Sequence, residues 1–454
     1  MRDRLRPSVC RMVAAALAGA ALLLLASADA SAQEASWAGL MAAGARAYQQ
    51  GDFAAAEKSY LAALEEARGF GPDDARLAFT LNNLGLLAQV TSRPEIARAH
   101  FREALGHLER IRGAGHPEVA TVLQNLGLLE HERENYDEAE PLLRRALAIR
   151  ETALGPSHEN VAAALHNLGV LLLDRGRPEE AEPLLERAVA LREKPAGESD
   201  PRLAASLSTL AEVLRKQRHY ARALPLFQRA LAMREKALGP EDPDVAATLN
   251  SLALLYHEQA LYPQAEPLFR RALAIREKAL GPDDPKVATT LKTLAELFQA
   301  QGRYRDAAPL FERALAIRER ALGPEHKDTV AGVNSLGTIY FFENRYPEAE
   351  ATLQRGLALS ERVFGADSAE VTEGLSTLAE LYRFQGRYAD AEPLYQRLAA
   401  ILEQAGAESQ PQLAVTLDNL AEVLQAQGKT AEAEKAEAQA RGVRARRASK
   451  NPQP

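Results

Sequence analysis

Residues 249–285 read LNSLALLYHEQALYPQAEPLFRRALAIREKALGPDDP, and this stretch decides the fold. Leu249, Leu252, Ala253 and Tyr256 fall at i, i+3, i+4 and i+7, the stripe of a helix packed on one face. A polar turn follows, and Ala265, Phe269 and Ala272 then repeat an i, i+4, i+7 pattern in a second helix. Pro267 is expected in the first turn of that helix, where a missing N–H costs little, and Pro141, Pro183, Pro225, Pro309 and Pro393 occupy matching positions. Gly281 is expected to end the helix in the left-handed conformation that other residues resist, and Pro282 keeps the helix from running on.

The same unit recurs in both directions. Leu84, Leu126, Leu168, Leu210, Leu252, Leu294, Leu336, Leu378 and Leu420 are spaced by 42 residues without a slip. A glycine ladder that includes Gly71, Gly113, Gly155, Gly197, Gly239, Gly281, Gly323 and Gly365 keeps the period, as does an alanine ladder from Ala97 to Ala433. An earlier unit, one residue shorter, runs from Trp37 through Tyr60 to Gly71, which makes ten units. A lone helix pair would leave its apolar stripe in water, whereas stacked pairs bury the stripes continuously. Trp37 is expected to cap the first end of the stack. Lys435, Glu437, Gln439 and Arg441 line a polar last helix suited to closing the other.

Length and composition alone mislead on organisation, because 454 residues point to about three domains. The chain is 46% hydrophobic, 26% charged and only 6% aromatic, so it has material for a core built mainly from Leu and Ala. Its net charge of −7 speaks against a general nucleic-acid binder, which needs a basic face. The first residues read as a processing segment: Arg2, Arg4, Arg6 and Arg11, then the apolar run Val13 to Ala28, then the small-residue site Ala30-Ser31-Ala32. That run is shorter than the roughly 20 residues needed to span a bilayer. The expected organisation is a cleaved signal peptide over 1–32, a repeat array over 33–441 and a basic tail without fixed structure over 442–454. Cleavage would remove Cys10 and leave an exported chain with 51 basic and 60 acidic groups, net −9, periplasmic or secreted, and with no membrane span.

The wording of residues 235–285, with Asn-x-Leu-Ala-x-Leu-Tyr, Tyr-x-x-Ala-Glu-Pro-Leu-Phe and Arg-Ala-Leu-Ala-Ile-Arg-Glu-Lys-Ala-Leu-Gly-Pro, resembles the tetratricopeptide repeat of the kinesin light chain type. That type is longer than the usual repeat of about 34 residues. The resemblance implies an all-α, right-handed α-solenoid of about ten helix-turn-helix units whose first helices line a concave groove that takes up a protein or an extended peptide. The signal peptide and the lack of a heptad arm set the chain apart from a true light chain, so a motor-adaptor role is not implied.

Positions are counted from the laddered leucine. With −3, 0, +1 and +4 in the core, positions −2, +2 and +5 form a second stripe, with +6 at its margin. It mixes amides, imidazoles and apolar groups where a purely solvated stripe would be almost wholly charged. The candidate peptide-binding residues on it and beside it are Asn82, Asn125, His131, Asn167, Arg215, Asn250, His257, Lys292, Asn334, Phe341, Phe342, Arg383 and Phe384. In light-chain-like repeats, an Asn at −1 or −2 can bond a peptide backbone. The alternative is that these small polar residues satisfy groups between neighbouring helices. Phe341, Phe342 and Phe384 beside Arg383 would make an aromatic pocket with a cationic rim, suited to an acidic peptide with an apolar anchor, unless the rings simply pack on the next helix.

No phosphate-loop or His-Glu-x-x-His motif occurs; His131-Glu132 is followed by Arg133-Glu134 and completes none. No cofactor and no metal site is expected, and the chain reads as no enzyme. His116, His158 and His326 fall at equivalent loops and read as turn residues, while runs such as Arg276-Glu277-Lys278 read as a solvated outer face. The favoured function is an exported non-catalytic scaffold. Its rivals are a structural subunit of a cell-envelope or secretion assembly and, more remotely, an unrecognised hydrolase or glycan-handling protein.

Overall fold

The computed structural model describes residues 32–193, 200–406 and 409–450. The signal-peptide segment, Gly197 of the glycine ladder and the last residues of the tail lie outside them. The described residues form twenty α-helices in ten consecutive pairs, with one short 3-10 turn, Ala369–Val371, and no strand. They group into two compact units, one ending at Pro240 and the other beginning at Glu241, and each is described by itself.

The first unit holds α1 (Ala32–Gln49), α2 (Phe53–Gly69), α3 (Arg76–Val90), α4 (Pro94–Arg112), α5 (Pro117–Glu132), α6 (Tyr136–Leu154), α7 (Glu159–Asp174), α8 (Pro178–Glu193), α9 (Pro201–Lys216) and α10 (Tyr220–Leu238). The second holds α11 (Pro243–Glu258), α12 (Tyr262–Leu280), α13 (Pro285–Ala300), α14 (Tyr304–Leu322), α15 (Lys327–Phe342), α16 (Tyr346–Phe364), α17 (Thr372–Phe384), α18 (Tyr388–Gln404), α19 (Gln410–Ala426) and α20 (Thr430–Lys450). Odd-numbered helices are the first helices of the repeats, even-numbered ones the second.

The core follows the ladders. Leu252, Ala253, Ala265, Phe269 and Ala272 are all buried. The small residue at +1 lets the paired helices touch: a Cβ on Gly85 would come within 2.5 Å of the Phe101 ring, so the aromatic of the second helix occupies the space a side chain would need. Trp37 is buried, and its indole Nε1 donates to Thr80 Oγ1 of the next repeat at 3.0 Å. Its ring meets Phe79 edge-on. Glu437 on α20 is exposed while Ala433, Ala436 and Ala440 of the same helix are buried.

Three local expectations are corrected. The second helices start at the tyrosine of the hinge, so Pro141, Pro225, Pro267, Pro309 and Pro393 stand inside their helices, at the sixth residue, and Pro183 is likewise inside α8. The turn is tight enough to begin the helix several residues earlier than the proline signal implied, and each helix gives up one hydrogen bond there. The laddered glycine does take a positive φ, but Gly239 has φ 88° and ψ 158°, outside the left-handed helical well and open essentially to glycine alone. Finally, α20 continues to Lys450, over the first part of the segment expected to lack structure. Ala and Arg dominate residues 440–448, both strong helix formers, and no proline intervenes before Pro452.

His116, His158 and His326 have a more definite role than turn residues. Each precedes a first helix and accepts the backbone N–H two residues on, as Asp200, Asp242 and Asp284 do elsewhere, so His and Asp alternate as helix N-caps.

Candidate functional site

Within each unit the backbones of successive first helices approach one another, α3 with α5, α5 with α7, α11 with α13 and α15 with α17, more closely than those of successive second helices. First helices therefore form the inner layer of each array. Across that layer, residue −1 of one repeat bonds residue −2 of the repeat before it. Asn125 Nδ2 donates to Asn82 Oδ1 at 2.8 Å, and Thr293 Oγ1 donates to Asn250 Oδ1 at 3.2 Å. Other −1 residues bond their own helix: Asn83 Nδ2 donates to the Phe79 carbonyl, and the Thr209, Ser335 and Thr377 hydroxyls each donate to the carbonyl four residues back. Asn82, Asn125 and Asn250 are thus engaged in tying neighbouring first helices together.

Position +5 also has a local partner. The rings of His131, His257 and Phe341 lie against Tyr136, Tyr262 and Tyr346, the first residues of their own second helices, with centroids 5.9, 5.8 and 6.3 Å apart. His131 Nε2 also meets Asp174 Oδ2 of the following repeat at 3.0 Å, while its Nδ1 is buried without a partner. His257 Nε2 and Asn167 Nδ2 are likewise buried without a partner. Arg215 forms a buried ion pair with Glu212 at 2.5 Å, and Lys292 pairs with Glu296, so neither cation of the predicted stripe stands without a carboxylate.

The aromatics come together. Phe341 is half-buried and touches Phe342 at 5.3 Å and Phe384 at 6.0 Å between ring centroids. Phe342 stacks on Tyr304 at 5.0 Å with the planes only 12° apart, and Phe384 meets Tyr346 at 5.7 Å. Five rings from α14, α15, α16 and α17 form one strip, and Phe342 and Phe384 remain 47% and 65% exposed. Rings of that size left in water are unusual unless something covers them. The cationic rim expected from Arg383 is modified: its guanidinium donates to Glu422 at 3.0 and 3.1 Å and reaches Glu380 at 3.5 Å, so its charge is already met. Tyr304 and Tyr346 were not anticipated as members. The signal was present, since every Gly-Arg-Tyr hinge puts a tyrosine at the start of a second helix, beside the +5 and +6 residues of first helices.

The outer face is less solvated than the charge runs implied. Arg276 turns inward: its Nη1 donates to the Lys286 carbonyl at 3.1 Å and to Thr290 Oγ1 at 2.5 Å in the next repeat. Arg192 does the same with the Arg202 carbonyl at 3.0 Å and Ser206 Oγ at 2.6 Å, and Arg318 reaches the Asp328 carbonyl at 3.2 Å. Burial with no carboxylate partner pulls the Arg150 guanidinium down to about 10, and it bonds Gln124 and the Asn160 carbonyl. The glutamate that follows this arginine pairs with an arginine of the next second helix, as in Arg187 with Glu151 and Arg313 with Glu277, both at 2.5 Å. A periodicity argument puts these residues outside; the reach of the arginine stem carries the charge back between repeats.

One carboxylate is strongly held. Glu130 is fully buried in the first unit; burial alone would raise it, but two hydrogen bonds from Arg98 at 2.6 and 2.5 Å and one from Asn135 at 2.8 Å pull it below the usual range. Among the described residues no cluster of His, Cys, Asp or Glu could hold a metal ion, and no helix is long and apolar enough to cross a membrane.

Tandem helix pairs with a buried stripe on each helix define a non-globular class, the all-α repeat solenoid. Within that class the chain belongs to the tetratricopeptide repeat family, whose model matches residues 38–110, 79–152, 118–194, 202–278, 256–320, 287–362, 328–404 and 370–446. Among solved structures, a signal-transduction ATPase with numerous domains and a tetratricopeptide repeat sensor from Pyrococcus horikoshii is 15% identical, with a TM-score of 0.57 over 85% of this chain and 52% of its own. The kinesin light chain nearly identical TPR-like repeats of Podosopora anserina are 26% identical, with a TM-score of 0.41 over 46% of this chain and 98% of theirs. BtubC from P. vanneervenii is 22% identical, with a TM-score of 0.43 over 52% and 92%. No curated protein matches the chain in sequence.

Proposed function

We propose that this chain is an exported, non-catalytic scaffold whose inner, first-helix face holds a protein or an extended peptide. The aromatic strip carries the reading: Phe342 and Phe384 keep large apolar area in water at the edge of the inner layer, within reach of the side chains of an extended ligand. The surrounding polar groups supply hydrogen-bonding capacity without a titratable pair arranged for proton transfer, which favours binding over a chemical step. Tetratricopeptide arrays in general present such a face to proteins.

The test is a double variant, Phe341→Ala with Phe342→Ala. Partner affinity should fall at least tenfold, as expected for two buried aromatic anchors, with the rest of the fold intact by circular dichroism. Unchanged affinity at unchanged melting temperature would remove the strip from the binding surface. Export is tested separately by N-terminal sequencing of the protein from an exported fraction, which should begin at Gln33. A stable stoichiometric complex in envelope extracts, rather than a transient ligand, would favour a structural subunit of an envelope or secretion assembly.

A further inference from the structure

The slot occupied by Arg150, Arg192, Arg234, Arg276 and Arg318 in successive repeats is filled by Leu108 in an earlier repeat and by Leu402 in a later one. On α16 it holds Ser360, too short to fill it. The hydroxyl that Arg276 reaches on the next helix, Thr290, is replaced at the matching place by Gly374. The gap between α16 and α17 therefore lacks both the guanidinium and its side-chain acceptor.

What lines this gap is rich in acceptors. Asn334 is 3% exposed, and its Oδ1 is buried without any donor; its amide nitrogen reaches only Ser360 Oγ, at 3.4 Å. That oxygen lies where a Cβ on Gly356 would be, 2.0 Å away, and 3.7 Å from where one on Gly374 would be, which puts it between the two helices. One helical turn from the mouth stands Glu373, at a position that is Phe, Thr, Ala or Val in the other repeats. Its side chain is exposed to solvent but has no ion-pair partner among the described residues, and desolvation by the surrounding face raises its pKa, with Lys292 the only charge working the other way. Glu370, beside the carbonyl that an arginine would bond in this register, is also exposed and has no ion-pair partner among the described residues.

We infer that this gap is a socket for an arginine side chain supplied by the bound partner, with the guanidinium taking the place that the protein's own arginine takes in the repeats before it. The planar fork of donors fits Asn334 Oδ1, the backbone carbonyl of Glu370 and the Glu373 carboxylate together, which a lysine ammonium could not span. The inference rests on the reading that the inner face takes up peptide, and it assigns that peptide a basic residue at this point. It differs from the acidic ligand that the aromatic strip with a cationic rim would have implied, because Arg383 is already neutralised.

An array of ten-residue peptides of mixed sequence, probed with the whole chain, tests it. Binding peptides should be enriched in arginine and should lose at least tenfold in affinity when that arginine is replaced by citrulline, which keeps the shape and removes the charge. Glu373→Gln should cost a similar factor. Ser360→Arg should fill the socket from within, abolishing arginine-dependent binding while the melting temperature holds or rises. Peptides that bind equally well with citrulline, or that bind Ser360→Arg unchanged, overturn the socket and leave the inner-face reading standing. An array with no binding peptide overturns that reading and the socket with it.

Discussion

Two junctions in the second unit make the most informative comparison. Between α12 and α13, Arg276 bridges to the Lys286 carbonyl and Thr290, and every polar group there has a partner. Between α16 and α17, the same place holds Ser360 and Gly374, the helix begins with a 3-10 turn, and a buried carbonyl oxygen of Asn334 has no donor. The repeat geometry is common to both, because the Leu, Ala and aromatic ladders are intact on either side. What differs is the polar hardware between repeats, so the ladders specify the fold while departures from them mark where the chain does something other than stack.

The largest expected effect comes from closing the irregular junction. Gly356→Ala would put a Cβ onto Asn334 Oδ1 and should destabilise the second unit by about 2–3 kcal/mol in denaturant unfolding, since neither helix has slack there. Asn334→Ala in the same background should recover most of that loss, which identifies the amide as the clash. Breaking the regular junction is next: Arg276→Ala leaves Thr290 without its donor and should cost about 1–2 kcal/mol, whereas Ser360→Ala should cost less than about 1 kcal/mol.

The first unit supplies a pH-dependent contrast. Glu130 is held below its unfolded value by Arg98 and Asn135, so its contribution is present above the unfolded carboxylate pKa and is lost as pH falls through the folded one. Wild type should lose stability on acidification below about pH 4.5, more steeply than Glu130→Gln, which should be less stable at neutral pH and less sensitive to acid. The smallest effect belongs to the outer ladder: Arg313→Ala removes a half-exposed pair with Glu277 and should change stability by less than about 1 kcal/mol.

Much of the fold was legible because a strict period places the same residue types at the same depth ten times over. Leu252, Phe269 and Ala272 needed no structure to be assigned to the core. The side-chain network was not legible, for reasons of reach and register. A 3.6-residue period assigns Arg276 to the outside, but it cannot tell that a four-atom stem brings the guanidinium back between helices. Asn82 and Asn125 looked like free amides because the partner of each is about one repeat away in sequence and adjacent in space. Phe342 and Phe384 were visible as candidates, while Tyr304 and Tyr346 were hidden in a hinge motif that reads as turn chemistry. Arg383 looked like a cationic rim because Glu422, which neutralises it, comes from the next repeat.

Amide hydrogen exchange on the chain with and without an array-selected peptide tests the central claim, that ligand lies on the first-helix face, most directly. Protection on binding should concentrate in the exposed ends of α15 and α17, around Phe342, Glu373 and Phe384, and leave the second helices α12, α14 and α16 unchanged on their outer faces. Protection confined to the outer faces of the second helices, around Glu277, Arg313 and Arg355, would contradict it.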